Sequence, residues 1–125
     1  MAPAPAGPGT VYREAFPFLR AAGEGWTLAI DRRQQDGALL ATLAWAQGRQ
    51  RAEGRFRGIG EAYYPERYAG TLDLDGIGRA ASLDLRPGAC EFDGAEFERL
   101  LVTLRIDGGP ALAPGCGEFR LPPPP

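Results

Sequence analysis

Two groups of side chains in this chain have types and spacings that could do chemistry. The first is the pair Cys90 and Cys116, the only cysteines. The second is the run Glu61-Ala62-Tyr63-Tyr64-Pro65-Glu66-Arg67-Tyr68, which gathers three tyrosines, two acids and an arginine. Tyrosine-rich loops make rigid contact surfaces that lose little entropy on binding. Tyr63, Tyr64 and Tyr68 are therefore candidate binding residues, with Arg67 available for an anionic group. The alternative is that one or two of these rings plug the end of a barrel while the charges face water.

The cysteines allow a disulfide, two buried thiols or half a metal site. No histidine and no Cys-x-x-Cys spacing exists, so zinc lacks nitrogen and sulfur ligands. Glycines flank both residues, in Gly88-Ala89-Cys90 and Gly115-Cys116-Gly117, and suit the close backbone approach of a bridge. Such a bridge would close a loop of about 26 residues, worth roughly 3–4 kcal/mol by chain entropy. It would also imply an oxidising compartment, whereas two inert thiols would fit the cytoplasm.

Missing residue types narrow the chemistry further. The chain has no histidine, lysine or asparagine, and its one serine is Ser82. An imidazole base, a Schiff-base lysine and a His-assisted nucleophile are thus excluded. This argues against most catalysis and for a domain that binds or braces. A carboxylate-dependent hydrolase remains as an alternative, because sixteen acids could supply two that face one cleft. Asp73-Leu74-Asp75-Gly76 places carboxylates near a turn, but Ile77, Arg79 and Ala80 do not continue a calcium loop. Gly58-Ile59-Gly60-Glu61 lacks the third glycine and the lysine of a phosphate loop. No cofactor or metal is implied.

All fourteen basic residues are arginine, the bias a GC-rich genome produces. The net charge of −2 gives no footprint for nucleic acid. Arg49, Arg51, Arg55 and Arg57 form the densest cationic set, read as a solvated strand face or as an anion patch. No run is apolar enough to span a membrane, and no signal peptide opens the chain. Residues 1–10 are a Pro/Ala/Gly-rich linker and residues 122–125 a proline tail, leaving 11–121 as one domain.

The elements that must position these groups read as strands. Trp26, Leu28 and Ile30 alternate onto one face, as do Leu39, Ala41, Leu43 and Trp45. Arg51 to Arg57 alternates weakly, and the run Tyr68 to Leu74 follows. Ala81 to Arg86 alternates and stops at Pro87-Gly88, and Leu100, Val102, Leu104 and Ile106 share a side. Turn signals fall at Gln35-Asp36-Gly37, Asp75-Gly76 and Asp107-Gly108-Gly109. Phe16 to Arg20 and Cys116 to Leu121 supply the outer members, and Glu91 to Leu100 could hold a helical turn. The expected fold is all-β: a small antiparallel barrel or barrel-like sandwich of seven to nine short strands. Within it Trp26 and Trp45 either pack the core or line a cavity for a small apolar molecule.

The segment Ala22-Gly23-Glu24-Gly25-Trp26-Thr27-Leu28-Ala29-Ile30-Asp31 resembles the first strand of a group of uncharacterised bacterial envelope lipoproteins. In that group a strand ending in cysteine precedes another strand and a Gly-Cys-Gly ending. Leu83 to Cys90, Leu101 to Asp107 and Gly115-Cys116-Gly117 stand in that order here. The resemblance implies a periplasmic or outer-envelope β-domain, a lipid anchor outside this chain, a disulfide and no assigned activity. The expected function is a non-catalytic binding or interaction domain with a protein or small-molecule partner.

Overall fold

The computed structural model describes residues 17–31, 38–60, 65–92 and 95–119. They form eight strands: β1 (Pro17–Gly23), β2 (Trp26–Asp31), β3 (Leu39–Trp45), β4 (Gln50–Gly58), β5 (Arg67–Leu74), β6 (Ile77–Phe92), β7 (Ala95–Ile106) and β8 (Gly115–Phe119). Each pairs antiparallel with the next, and β8 pairs back onto β1, so the sheet closes into an up-and-down barrel. Among the described residues there is no helix. Of the stretch read as a possible helical turn, Glu91 and Phe92 end β6 and Ala95 to Leu100 begin β7, the two paired antiparallel; residues 93–94 lie outside the described residues.

Alternation explains the wall. Leu28, Ile30, Ala41, Leu43, Ala52, Phe56, Leu72, Leu83, Leu85, Val102 and Leu104 point inward and are buried, while the residues between them face out. With Leu19 and Ala21 of β1, these inward side chains form one cluster, and Phe119 of β8 packs against it.

Tight turns close one pole. Asp75 and Gly76 both have positive φ, 54° and 79°, the paired left-handed geometry that matches strand twist in a two-residue hairpin. At the β3–β4 turn, the Gln47 N–H donates to the Gly25 carbonyl at 3.1 Å and ties two neighbouring turns together. The long link between β7 and β8 crosses this pole. Leu112 packs onto the core, and the Ala113 carbonyl accepts the Trp26 indole N–H at 2.8 Å.

The wall bends sharply between β4 and β5. A side chain at Gly54 would overlap the Thr71 carbonyl oxygen, and one at Gly70 would overlap that of Arg55. Two glycines on adjacent strands thus mark a corner where backbone approaches backbone, as closing a small barrel requires.

One pair of strands outgrows the barrel. β5 ends its pairing with β6 at Asp84, yet β6 and β7 continue to Phe92↔Ala95. Pro87-Gly88, expected to end the strand, instead lies within it, paired with Leu100 and Arg99. Proline is tolerated there because β5 no longer pairs with that stretch of β6.

Candidate functional site

Strand parity separates the residues of the tyrosine-rich run. Tyr63 and Tyr64 lie outside the described residues. Arg67, at the outward start of β5, is exposed, and its Nε donates to Asp84 Oδ1 at 3.1 Å. Tyr68, the next residue, points inward and is 1% exposed. Its ring therefore belongs to the core and offers no surface contact, which corrects the expectation for this position. The physical reason is that an extended strand sends neighbours to opposite faces.

The two tryptophans lie at the tight-turn pole. Trp26 is buried, and its ring fills the space left by Gly115, where an added Cβ would come within 2.7 Å of Cζ2. Trp45 is half-buried and packs against the same core. Both act as packing residues here, and neither lines the two clefts described below.

Cys90 and Cys116 form a disulfide with a Cα–Cα distance of 5.8 Å. Cys116 lies on β8 between Leu101 of β7 and Ala22 of β1. Cys90 lies on the β6–β7 extension, several residues beyond the part of β6 that β5 covers. To bring the two together, the extension must curl back as an arm over the outside of β8. At the bend, Gly88 leaves room for the Leu101 side chain. An ion pair between Arg99 and Glu118 joins β7 to β8 beside the same seam.

The arm turns a convex wall into a concave one. A cleft of about 580 Å³ lies between Glu91 of the arm and the outer face of β1 to β4. Register sets its floor: Ala22, Thr27, Ala44 and Arg51 stand in one row across four strands, and Arg20, Ala29 and Thr42 in the next. The short alanine side chains leave depth, the threonine hydroxyls add polar atoms, and Arg20 and Arg51 stand at opposite sides. A second cleft of about 500 Å³ lies on the other flank of the disulfide, with Asp84, Arg86, Thr103 and Leu101 along it. The signal that could have revealed the first cleft was the small size of the outward residues on β1 to β3. It was hidden because those residues become neighbours only through pairing.

The remaining motifs are local structure. Arg51, Arg55 and Arg57 face outward along β4 and are exposed. Arg49 donates from Nε to the Ala46 carbonyl at 3.1 Å within its turn. Glu53 and Asp73 stand opposite each other on the outer wall, exposed, and line neither cleft. Among the described residues no group of three or more metal-ligating side chains gathers, and no helix is long and apolar enough to cross a membrane.

The fold defines an up-and-down eight-stranded β-barrel with a disulfide-held external arm. Compared with protein-family models, curated proteins and solved structures, the chain matches none.

Proposed function

We propose that this barrel is a non-catalytic binding or interaction domain of the bacterial envelope that works from its outer wall. The observation that carries this reading is the cleft of about 580 Å³ between the arm and β1 to β4. Clefts of roughly 300–1,000 Å³ are the size that holds small ligands. The disulfide supports the reading because a covalently held rim needs little ordering when a ligand arrives. The same bond favours the periplasm or outer envelope, where disulfides form and persist.

The other two functions draw less support. A carrier would use the lumen, where Trp26, Phe56, Tyr68 and Leu83 are packed together. A hydrolase would use two acids in a cleft; Asp84 and Glu91 both line the second cleft, but the Asp84 carboxylate is held in an ion pair by Arg67.

Fragment screening by amide chemical shifts tests the location. Ligand-induced shifts are expected at Ala22, Thr27, Ala44 and Arg51. Shifts concentrated at Phe56, Leu72 and Leu83 would move the site into the lumen and replace this reading with the carrier.

A further inference from the structure

The second cleft has an unpaired strand edge for one wall, and it stands apart from whatever the first cleft holds. Two backbone bonds fix which way β6 points its polar groups. The Leu85 N–H donates to the Glu66 carbonyl at 2.8 Å on the β5 side, and the Asp107 N–H donates to the Ala80 carbonyl at 2.9 Å on the β7 side. Odd-numbered residues of β6 therefore turn their backbone groups toward β5, and even-numbered ones toward β7. The β6–β7 register runs unbroken to Phe92↔Ala95, so this parity holds along the arm. β5 begins at Arg67, opposite Asp84, and covers no residue of the arm. The N–H and C=O groups of Ala89 and Glu91, and the C=O of Pro87, thus face a side with no strand. Among the described residues no hydrogen bond reaches them there. Pro87 itself stands at an odd position, where its missing N–H removes no bond to β7.

An open edge is a template for one more strand. Its surroundings here are those of a groove. Among the described arm residues, Arg86, Cys90 and Glu91 of β6 line the second cleft, whereas Arg99 of β7 turns to Glu118 at the other flank. Leu101 and Thr103, outward on β7, lie along the same cleft. Leu101 is exposed although large and apolar. Its Cδ1 would lie 2.8 Å from a Cβ added at Gly88, so it reaches the arm at the one position without a side chain. Arg86 is exposed and makes no ion pair among the described residues, unlike Arg67 and Arg99.

We infer that this edge docks an extended peptide segment of a partner protein, added antiparallel to β6 along residues 86–91. Side chains of the added strand that stand opposite even residues of β6 face the cleft. The one opposite Gly88 meets Leu101 and is aliphatic. The one opposite Arg86, two residues later in an antiparallel strand, is acidic. The segment therefore reads aliphatic, any residue, acidic. The residue before the aliphatic one lies opposite Ala89 and exchanges two backbone hydrogen bonds with it.

The test titrates isotopically labelled, oxidised full chain with the acetylated peptide amide Thr-Val-Thr-Leu-Thr-Glu-Thr. Saturable shifts and slowed hydrogen exchange are expected at the Ala89 and Glu91 amides, with shifts at Leu101. A peptide with Lys in place of Glu should bind about three- to tenfold more weakly, and Arg86→Glu should reverse that order. N-methylation of the Thr before Leu removes the donor to the Ala89 carbonyl and should weaken binding about tenfold. Ala89→Pro deletes the matching donor on the open side, leaves the bonds to β7 in place, and should weaken it by a similar factor. Equal binding of the Glu and Lys peptides, or of the N-methylated peptide, overturns the proposal, as does an absence of saturation. Protection of the Ala89 and Glu91 amides in dilute chain without peptide would mean that another part of the chain covers the edge. Protection that grows with protein concentration would make the occupant a second copy, and either result also overturns the peptide. Ala44 and Arg51 line only the first cleft, so shifts confined to them sink this proposal and leave the earlier reading standing.

Discussion

Single residues hold this barrel together by what they fill and by how their backbone bends. Trp26 closes the tight-turn pole with its ring and anchors the crossing link with its indole N–H. Trp26→Phe keeps most of the apolar contact and loses the hydrogen bond to Ala113, so it should cost about 1–2 kcal/mol in denaturant unfolding. Trp26→Ala also empties the pole and should cost about 3–5 kcal/mol. Gly76 has a different role: at φ 79° no heavy atom comes within 4 Å of an added Cβ, so Gly76→Ala meets only backbone strain. That change should cost about 1–2 kcal/mol, read as a lower midpoint with an unchanged slope. Arg67→Ala tests the opposite expectation. Its ion pair with Asp84 is open to water, so the loss should stay below about 1 kcal/mol. At this scale the chain was partly legible. The inward position of Trp26 followed from its spacing with Leu28 and Ile30. The burial of Tyr68 matches the alternative in which a ring of this run plugs the barrel, and the strand beginning at Arg67 decides between the two by sending neighbours to opposite faces.

Strands are where sequence spoke most plainly, since period-two alternation is a direct record of a wall with an inside and an outside. The faces expected for Trp26 to Ile30, Leu39 to Trp45 and Leu100 to Ile106 are those of β2, β3 and β7. The arm was not legible, for a physical reason. Pro87-Gly88 is a strong stop signal in a strand paired on both sides, but β6 loses its β5 partner there, and the signal loses its force. The cleft was legible even less, because its residues come from four strands and a hairpin and meet only through register. Gly54 and Gly70 give the element-scale prediction. Gly54→Ala or Gly70→Ala sets a methyl group against a neighbouring carbonyl oxygen that cannot move without opening the corner. Each should cost at least about 2–3 kcal/mol by thermal or chemical denaturation, more than an alanine placed in an ordinary strand.

At the scale of the whole molecule the disulfide joins two kinds of structure, the closed barrel and the arm outside it. Replacing Cys90 and Cys116 by alanine removes a cross-link over 26 residues of chain and should cost roughly 3–4 kcal/mol. Hydrogen exchange should show where: protection falls first in residues 86–91 and 99–101, while β2 to β5 keep theirs. Uniform loss of protection would mean that the bond braces the barrel wall rather than the arm. The closing seam has a mechanical consequence as well. Leu19 of β1 lies beside Phe119 of β8, at the edge where the first and last strands meet. Tension applied to both ends of the protein would therefore peel these strands apart one backbone bond after another, a soft mode of rupture. Peeling advances along β8 only as far as Cys116, where the covalent bond to the arm arrests it. The bond shields only the chain between its cysteines, so β1 to β5 unravel from the pulled N-terminal side in either surrounding, and a reducing one adds the 26-residue loop to the final extension.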